Sequence, residues 1–124
     1  MLEIHERQDT IGYENIVATI LSENIHIVES KNGESTNGYG VYSVGENGLS
    51  IHDYESGEWD IIDGIIRTIL FKGMLGGINR CEFQVRDVEK QQKLTKLGFI
   101  NEESKTIEDI NDFMSNCKKC KHSK

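Results

Sequence analysis

Residues 49–99 read LSIHDYESGEWDIIDGIIRTILFKGMLGGINRCEFQVRDVEKQQKLTKLGF, and this run sets the predicted order of elements. It opens with alternating residues that predict a strand. Two neighbouring rows of apolar side chains follow at three- and four-residue spacing, which predicts a long helix with a wide apolar face. The rows are Ile61, Ile65 and Ile69, and Ile62, Ile66, Leu70 and Met74. Gly76-Gly77 ends this helix, residues 78–85 predict another strand, and a short surface helix then closes on Leu97-Gly98-Phe99.

The segment before this run predicts an antiparallel meander. Residues 24–30 and 38–44 alternate as strands do. The stretch between them, residues 31–37, is rich in Asn, Gly, Ser and Thr and predicts a turn. Asn47-Gly48 is a strong signal for a tight hairpin into the next strand. The three strands therefore follow one another across the sheet.

The two ends of the chain carry weaker patterns. Residues 2–6 predict a short edge strand. Residues 10–23 predict a helix, because their apolar side chains recur at three and four residues. Thr106 is expected to cap a last helix, whose apolar face includes Ile107 and Ile110.

Length and composition limit the class of protein. A chain of 124 residues is expected to form one domain, residues 1–116, followed by a basic tail, residues 117–124, that we expect to be flexible. The predicted fold class is α/β, or α+β by stricter naming: a mixed, mostly antiparallel sheet with helices on both faces. The net charge of −7 argues against nucleic acid as a partner. The charged start has no apolar signal region, and no apolar run approaches the roughly 18 residues of a membrane span, so we expect a cytoplasmic protein without a membrane partner.

The order of meander, long helix, strand, short helix and Leu97-Gly98-Phe99 resembles the second half of the GNAT acyltransferase superfamily. The resemblance covers residues 24–101. It implies a GNAT-like fold, acetyl-CoA as the acyl donor and an amine of unknown identity as the acceptor. It also implies two sets of site residues. His52 and Glu55 are the candidate bases, and Tyr54, Ser56, Gly57 and Trp59 are the candidate cofactor-binding residues in the loop before the long helix.

The chain departs from the GNAT pattern at three positions. The family's pyrophosphate loop, Q/R-x-x-G-x-G/A, has glycines where this chain has Asp60 and Ile62. Glycine there lets backbone N–H groups approach the phosphates, which Asp60 would instead repel. Leu94 stands where the family often has a tyrosine that protonates the leaving thiolate, and Asp87 stands where an asparagine often opens the helix. These departures argue against efficient catalysis.

The acidic loop supports an alternative, a non-catalytic GNAT-fold module that binds a protein or a small cation. The carboxylates concerned are those of Asp53, Glu55, Glu58, Asp60 and Asp63. They are also expected to supply the negative charge that the start of the long helix favours. Strand alternation places His52 on the face opposite Asp53, and Trp59 is positioned to fill the space that the cofactor would leave.

The tail supports a third alternative, a small metal-binding or redox protein. Cys117 and Cys120 form a Cys-x-x-Cys, and His122 follows, so these three residues are the candidate metal ligands. A structural zinc site needs four ligands, one more than the tail supplies. The tail's lysines are expected to lie against the acidic body of the same chain or of a second copy, as in a homodimer. The remaining cysteine, Cys81, is expected to be a small buried residue.

Overall fold

The computed structural model describes residues 2–20, 24–46 and 48–115. Within them the fold is α+β, with one six-stranded sheet in the order β1-β2-β3-β4-β5-β6. The strands are β1 Leu2–Glu6, β2 Ile25–Asn32, β3 Ser35–Gly45, β4 Gly48–Glu55, β5 Cys81–Phe83 and β6 Thr106–Ile107. The helices are α1 Glu14–Val17, α2 Trp59–Leu75, α3 Val88–Leu97 and α4 Ile110–Ser115. Each pair of adjacent strands is antiparallel except β4–β5, which is parallel and is connected by α2.

The main core lies between the sheet and α2, on what we call the α2 face. Both predicted apolar rows of α2 pack there, with Ile65 and Ile69 at 0% exposure, and of their members only Met74 is partly rather than fully buried. Gly38 and Gly40 of β3 allow the close approach, since a Cβ on Gly40 would lie 2.6 Å from Cγ2 of Ile65. Residues of α3 and α4 complete the same core, among them Leu94 and Ile110.

The opposite face of the sheet, which we call the α1 face, carries the short helix α1. The Tyr13 hydroxyl donates to the buried carboxylate of Glu29, and the Tyr13 and Tyr39 rings meet edge to face at 5.0 Å. Arg7 holds the same carboxylate from the other side, with Nη1 3.3 Å from Oε2. Burial and the neighbouring Glu29 carboxylate raise the pKa of Tyr13. The predicted fold class, a mixed sheet with helices on both faces, is confirmed.

Several predicted element boundaries are corrected. Of the helix expected over residues 10–23, the described part contains only the four residues of α1, which starts after Gly12 at φ +94°. The strand expected over residues 78–85 is limited to the three residues of β5. Thr106 belongs to β6 instead of capping a helix, and Asp109 begins α4 by accepting from the Asp112 amide at 2.9 Å. The predicted edge strand and the hairpin between Gly45 and Gly48 are confirmed.

No helix in the described ranges combines the length and apolar character that crossing a bilayer requires.

Candidate functional site

A β-bulge in β4 positions the candidate base His52. In the pairing of β3 with β4, Tyr42 lies opposite Ile51 and Val41 lies opposite Asp53, so His52 is the extra residue. Such an insertion breaks the alternation of side chains along the bulged strand. The prediction that His52 and Asp53 lie on opposite faces is therefore wrong, and both line one cavity on the α1 face.

This cavity, which we call the cleft, opens where β4 and β5 separate. Their last paired residues are Ile51 and Phe83, after which the Gln84 amide donates to the carbonyl of Ile51 at 2.8 Å. Beyond that bond β4 continues to Glu55, while the segment that follows β5 turns into α3. The cavity between them has a volume of about 620 Å³. The sheet and the start of α3 line it with the polar residues His52, Asp53, Gln84, Arg86, Asp87 and Lys90. The α1 region covers it with Asn15, Ile16, Thr19 and Ile20.

The imidazole of His52 is held in a defined position. Its Nε2 lies 2.7 Å from Oγ of Ser43 on the neighbouring strand, and the ring is half-buried. Burial lowers the pKa of His52 below its usual 6.5, so the ring is neutral at pH 7 and able to accept a proton. His52 and Ser43 also line a smaller cavity of about 290 Å³ toward the β3–β4 turn.

The cleft contains both signs of charge. Lys90 Nζ lies 2.8 Å from Oδ1 of Asp53 and 3.4 Å from Oε2 of Glu55. Burial lowers the pKa of Lys90, but the hydrogen bond and charge of Asp53 outweigh burial and raise it overall. Arg86 is exposed and makes no hydrogen bond or ion pair with the residues that the structure describes. Its guanidinium is thus available to an anionic group at the mouth of the cleft.

The four candidate cofactor-binding residues do not converge on the cleft. Tyr54 is 1% exposed on the α2 face, and its hydroxyl donates to the Lys90 carbonyl at 2.6 Å. Ser56 is also buried, donating to the Asn37 carbonyl at 2.9 Å. Gly57 is exposed. Trp59 is 45% exposed and does not line the cleft, so it does not fill the space assigned to the cofactor.

The start of α2 is acidic but is not capped by a side chain. Glu58 occupies the N-cap position without a side-chain hydrogen bond, and its amide donates to Oγ of Ser56 at 3.2 Å. Asp60 is exposed in the first turn. These carboxylates therefore contribute charge near the helix terminus without occupying its N–H groups. Leu94, which stands where GNAT enzymes often have a tyrosine as general acid, is fully buried in the core.

Sequence reasoning missed several residues that the fold brings to His52. Ser43 comes from β3, Gln84 and Arg86 come from the segment between β5 and α3, and Lys90 comes from the first turn of α3. One sequence signal was available for Lys90: Asp87 caps α3, its Oδ1 accepting from the Lys90 amide at 3.1 Å. Recognising that cap places Lys90 in the first turn of α3.

The candidate metal ligands Cys117, Cys120 and His122 lie outside the described residues. In residues 2–20, 24–46 and 48–115, no group of three or more His, Cys, Asp or Glu side chains is placed to hold a metal ion. Cys81 is fully buried as predicted, and burial raises the pKa of its thiol to about 12, which makes it a poor nucleophile at neutral pH.

Comparison of the chain with protein-family models, with curated proteins and with solved structures found no match.

Proposed function

We propose that the protein binds an acyl thioester such as acetyl-CoA in the cleft and transfers the acyl group to an amine, with His52 as general base. The observation that carries this proposal is the bulge that directs His52 into the cleft where β4 and β5 separate. The carboxyl ends of adjacent parallel strands are a common place for ligands. Bulges also occur often beside active sites, where they redirect a side chain. The choice of reaction comes from the GNAT resemblance.

The proton chemistry follows from the state of His52. An aliphatic amine arrives as an ammonium ion and must lose a proton before it can attack a carbonyl carbon. Neutral His52 accepts that proton directly or through a water molecule. The amine nitrogen then forms a bond to the acyl carbon, the carbon–sulfur bond of the tetrahedral intermediate breaks and the thiolate leaves. The nitrogen gives up its second proton to solvent, which leaves a neutral amide. Since Leu94 cannot donate a proton, the thiolate is protonated by the imidazolium of His52 or by solvent.

The charged residues of the cleft suggest how the donor's phosphates would be held. Arg86 has no partner among the described residues, and a guanidinium binds phosphate through two parallel hydrogen bonds. The usual pyrophosphate position, at the start of α2, is unfavourable here because Glu58 and Asp60 stand there. We therefore assign the phosphate contact to Arg86.

Calorimetric titration with acetyl-CoA and free CoA tests the proposal, followed by a turnover assay against a panel of amines. Micromolar binding, roughly −8 kcal/mol, is expected. His52→Gln should lower turnover by about 10²- to 10⁴-fold with little change in donor binding. His26→Gln is the matched control, since His26 is a partly exposed histidine in a different cavity. Absence of binding at millimolar acetyl-CoA would contradict the proposal.

A second candidate is a non-catalytic module that binds a small cation. Glu55, Glu58 and Asp60 are exposed around the start of α2, and only Glu55 is paired with a described lysine. Titration with an aliphatic diamine separates the two candidates. Binding of the diamine that is lost in Glu58→Gln/Asp60→Asn, combined with no binding of acetyl-CoA, would favour the module.

A further inference from the structure

One long edge of β1 is unpaired among the described residues. β1 lies at one end of the sheet and pairs with β2 alone among the described strands. An open strand edge presents free backbone N–H and C=O groups and can pair with another chain.

The hydrogen bonds to β2 show which backbone groups of β1 point outward. The amide of Arg7 donates to the carbonyl of Ile27 at 2.7 Å, in register with the β1–β2 pairing. In antiparallel pairs, hydrogen-bonded and non-bonded positions alternate. Glu3 and His5 therefore bond to β2, and the backbone groups of Leu2, Ile4 and Glu6 face away from the sheet.

The sequence of β1 is self-complementary in one antiparallel register. With Ile4 opposite Ile4 of a second copy, Leu2 lies opposite Glu6, and all outward-facing residues become hydrogen-bonded pairs. Glu3 then lies opposite His5 at a non-bonded position, where side chains are closest. A carboxylate facing an imidazole accepts a hydrogen bond from it and attracts it when the ring is protonated.

Neighbouring registers are less favourable. A shift by one residue puts outward-facing groups opposite inward-facing ones, and one such shift places Glu3 opposite Glu6. A shift by two residues pairs only three of the five residues. Charged residues on an edge strand normally discourage association, so the register that matches Glu3 with His5 is the one that this edge permits.

The two-fold axis of this register runs perpendicular to the sheet and places both α2 helices on the same side. Ile4 faces α2, since a Cβ on Gly64 would lie 2.9 Å from its Cδ1. Phe71 and Leu75 follow Gly64 at seven and eleven residues, on the same side of the helix. They are 50% and 73% exposed, which leaves apolar surface beside the edge for a partner to cover.

We propose that the chain forms a symmetric homodimer through β1, with Ile4 on the two-fold axis and the two sheets continuous. This inference is independent of the proposed catalytic function. The interface is isologous, because the same strand contributes from both copies.

Sedimentation equilibrium over a range of protein concentrations tests the dimer. Wild type should associate reversibly, and Ile4→Pro should raise the dissociation constant by at least about tenfold, since proline removes the N–H at the axis. That N–H makes no bond to β2, so β1 should keep its place in the sheet. Ile4→Val keeps the N–H and the strand propensity and should leave association unchanged. A protein that is monomeric at every concentration, or a dimer unaffected by Ile4→Pro, would overturn the inference.

Amide hydrogen exchange of the wild type tests the register without a variant. The amides of Ile4 and Glu6 should lose protection on dilution, whereas those of Glu3 and His5 should stay protected by β2. Equal protection of the Ile4 amide at high and low concentration would overturn the inference, even if Ile4→Pro fails to fold.

Discussion

The two faces of the sheet are covered by different kinds of side chain: the α2 face is mainly apolar, and the α1 face is more polar. The α2 face is covered by a 17-residue helix whose isoleucines pack on glycine and aliphatic residues of the strands. The α1 face is covered by a four-residue helix that has no buried residue of its own. Ile27 and Val41 are buried on that face but do not belong to the main core cluster. The α2 face thus supplies most of the buried apolar surface, and the α1 face holds polar side chains at fixed positions.

The difference indicates how stability and function are divided. Burial of apolar surface is the main favourable contribution to folding, so the α2 face carries most of the stability. The α1 face holds the cleft and a buried carboxylate, Glu29, whose partners Arg7 and Tyr13 fix the cover over that cleft. Regions that bind ligands are usually drawn from the less stable part of a fold. We therefore expect mutations on the two faces to separate stability from activity.

The largest expected effect on stability comes from truncating the core of the α2 face. Ile65→Ala should lower the free energy of unfolding by about 3–4 kcal/mol, because it leaves a cavity in a fully buried site. Ile16→Ala, in half-buried α1, should cost less than about 1 kcal/mol. Urea unfolding of both variants measures the difference. If both variants lost the same free energy of unfolding, the α2 face would not carry more of the stability than the α1 face.

The next largest effect on stability is expected where α2 closely approaches the sheet. Gly40→Ala places a Cβ 2.6 Å from Cγ2 of Ile65, and relieving this contact should cost about 1–3 kcal/mol. Gly57→Ala is the matched control, since its added Cβ meets no atom within 4 Å, and its effect should stay within about 0.5 kcal/mol. Both are read from urea midpoints. A Gly40→Ala variant of unchanged stability would mean that α2 packs less closely on β3 than this 2.6 Å contact requires.

A smaller effect is expected from the buried carboxylate on the α1 face. Glu29→Gln weakens the hydrogen bonds to Arg7 and Tyr13 and should cost about 1–2 kcal/mol. The loss should be local: hydrogen exchange should accelerate over residues 13–20 while the amides of α2 stay protected. Glu34→Gln, at an exposed turn, is the control and should change neither the free energy of unfolding nor the exchange rates. Acceleration in α2 as well would show that Glu29 supports the whole fold.

The smallest expected effect on stability is at Ser43, which positions His52. Ser43→Ala should change stability by less than about 1 kcal/mol but lower turnover by about 2- to 10-fold, the value of one hydrogen bond. Ser50→Ala serves as control, because Ser50 lies cross-strand from Ser43 on the same face and the hydroxyl that bonds His52 is that of Ser43. Identical turnover in the two variants would argue against a positioning role for Ser43.

The pH dependence has a defined sign. Protonated His52 cannot act as a base, so kcat/KM should fall as pH drops through the pKa of His52, which burial places below 6.5. The unfolded chain binds a proton at His52 near pH 6.5 and the folded chain only at lower pH. Stability should therefore rise with pH across the window between these two values. A His52→Gln variant should lack this contribution.

The sequence was informative where local patterns decide the structure. The two isoleucine rows predicted α2, and Gly45 and Gly48 bound the predicted hairpin, because helix periodicity and hairpin turns depend on neighbouring residues. The Leu97-Gly98-Phe99 ending was also confirmed as a helix stop, with Gly98 at φ +90°.

The candidate site was harder to predict because its geometry is non-local. The bulge at His52 results from the pairing of β4 with β3, and nothing in the order His52-Asp53-Tyr54 distinguishes it from a regular strand. The helix predicted over residues 10–23 shows the same limitation. Its apolar stripe suits a helix, but the chain instead directs Tyr13 to a carboxylate 16 residues away, Glu29. Tertiary contacts outweigh local propensity at such positions.

NMR titration of the His52 imidazole, with the His52→Gln variant assigning its signal, measures both the protonation state of His52 and the binding of an acyl thioester in the cleft. We expect the ring to titrate with a pKa below 6.5 and its resonances to shift on addition of acetyl-CoA at submillimolar concentration. A pKa at or above 6.5, together with resonances unaffected by millimolar acetyl-CoA, would show that the cleft is not an acyl-thioester site.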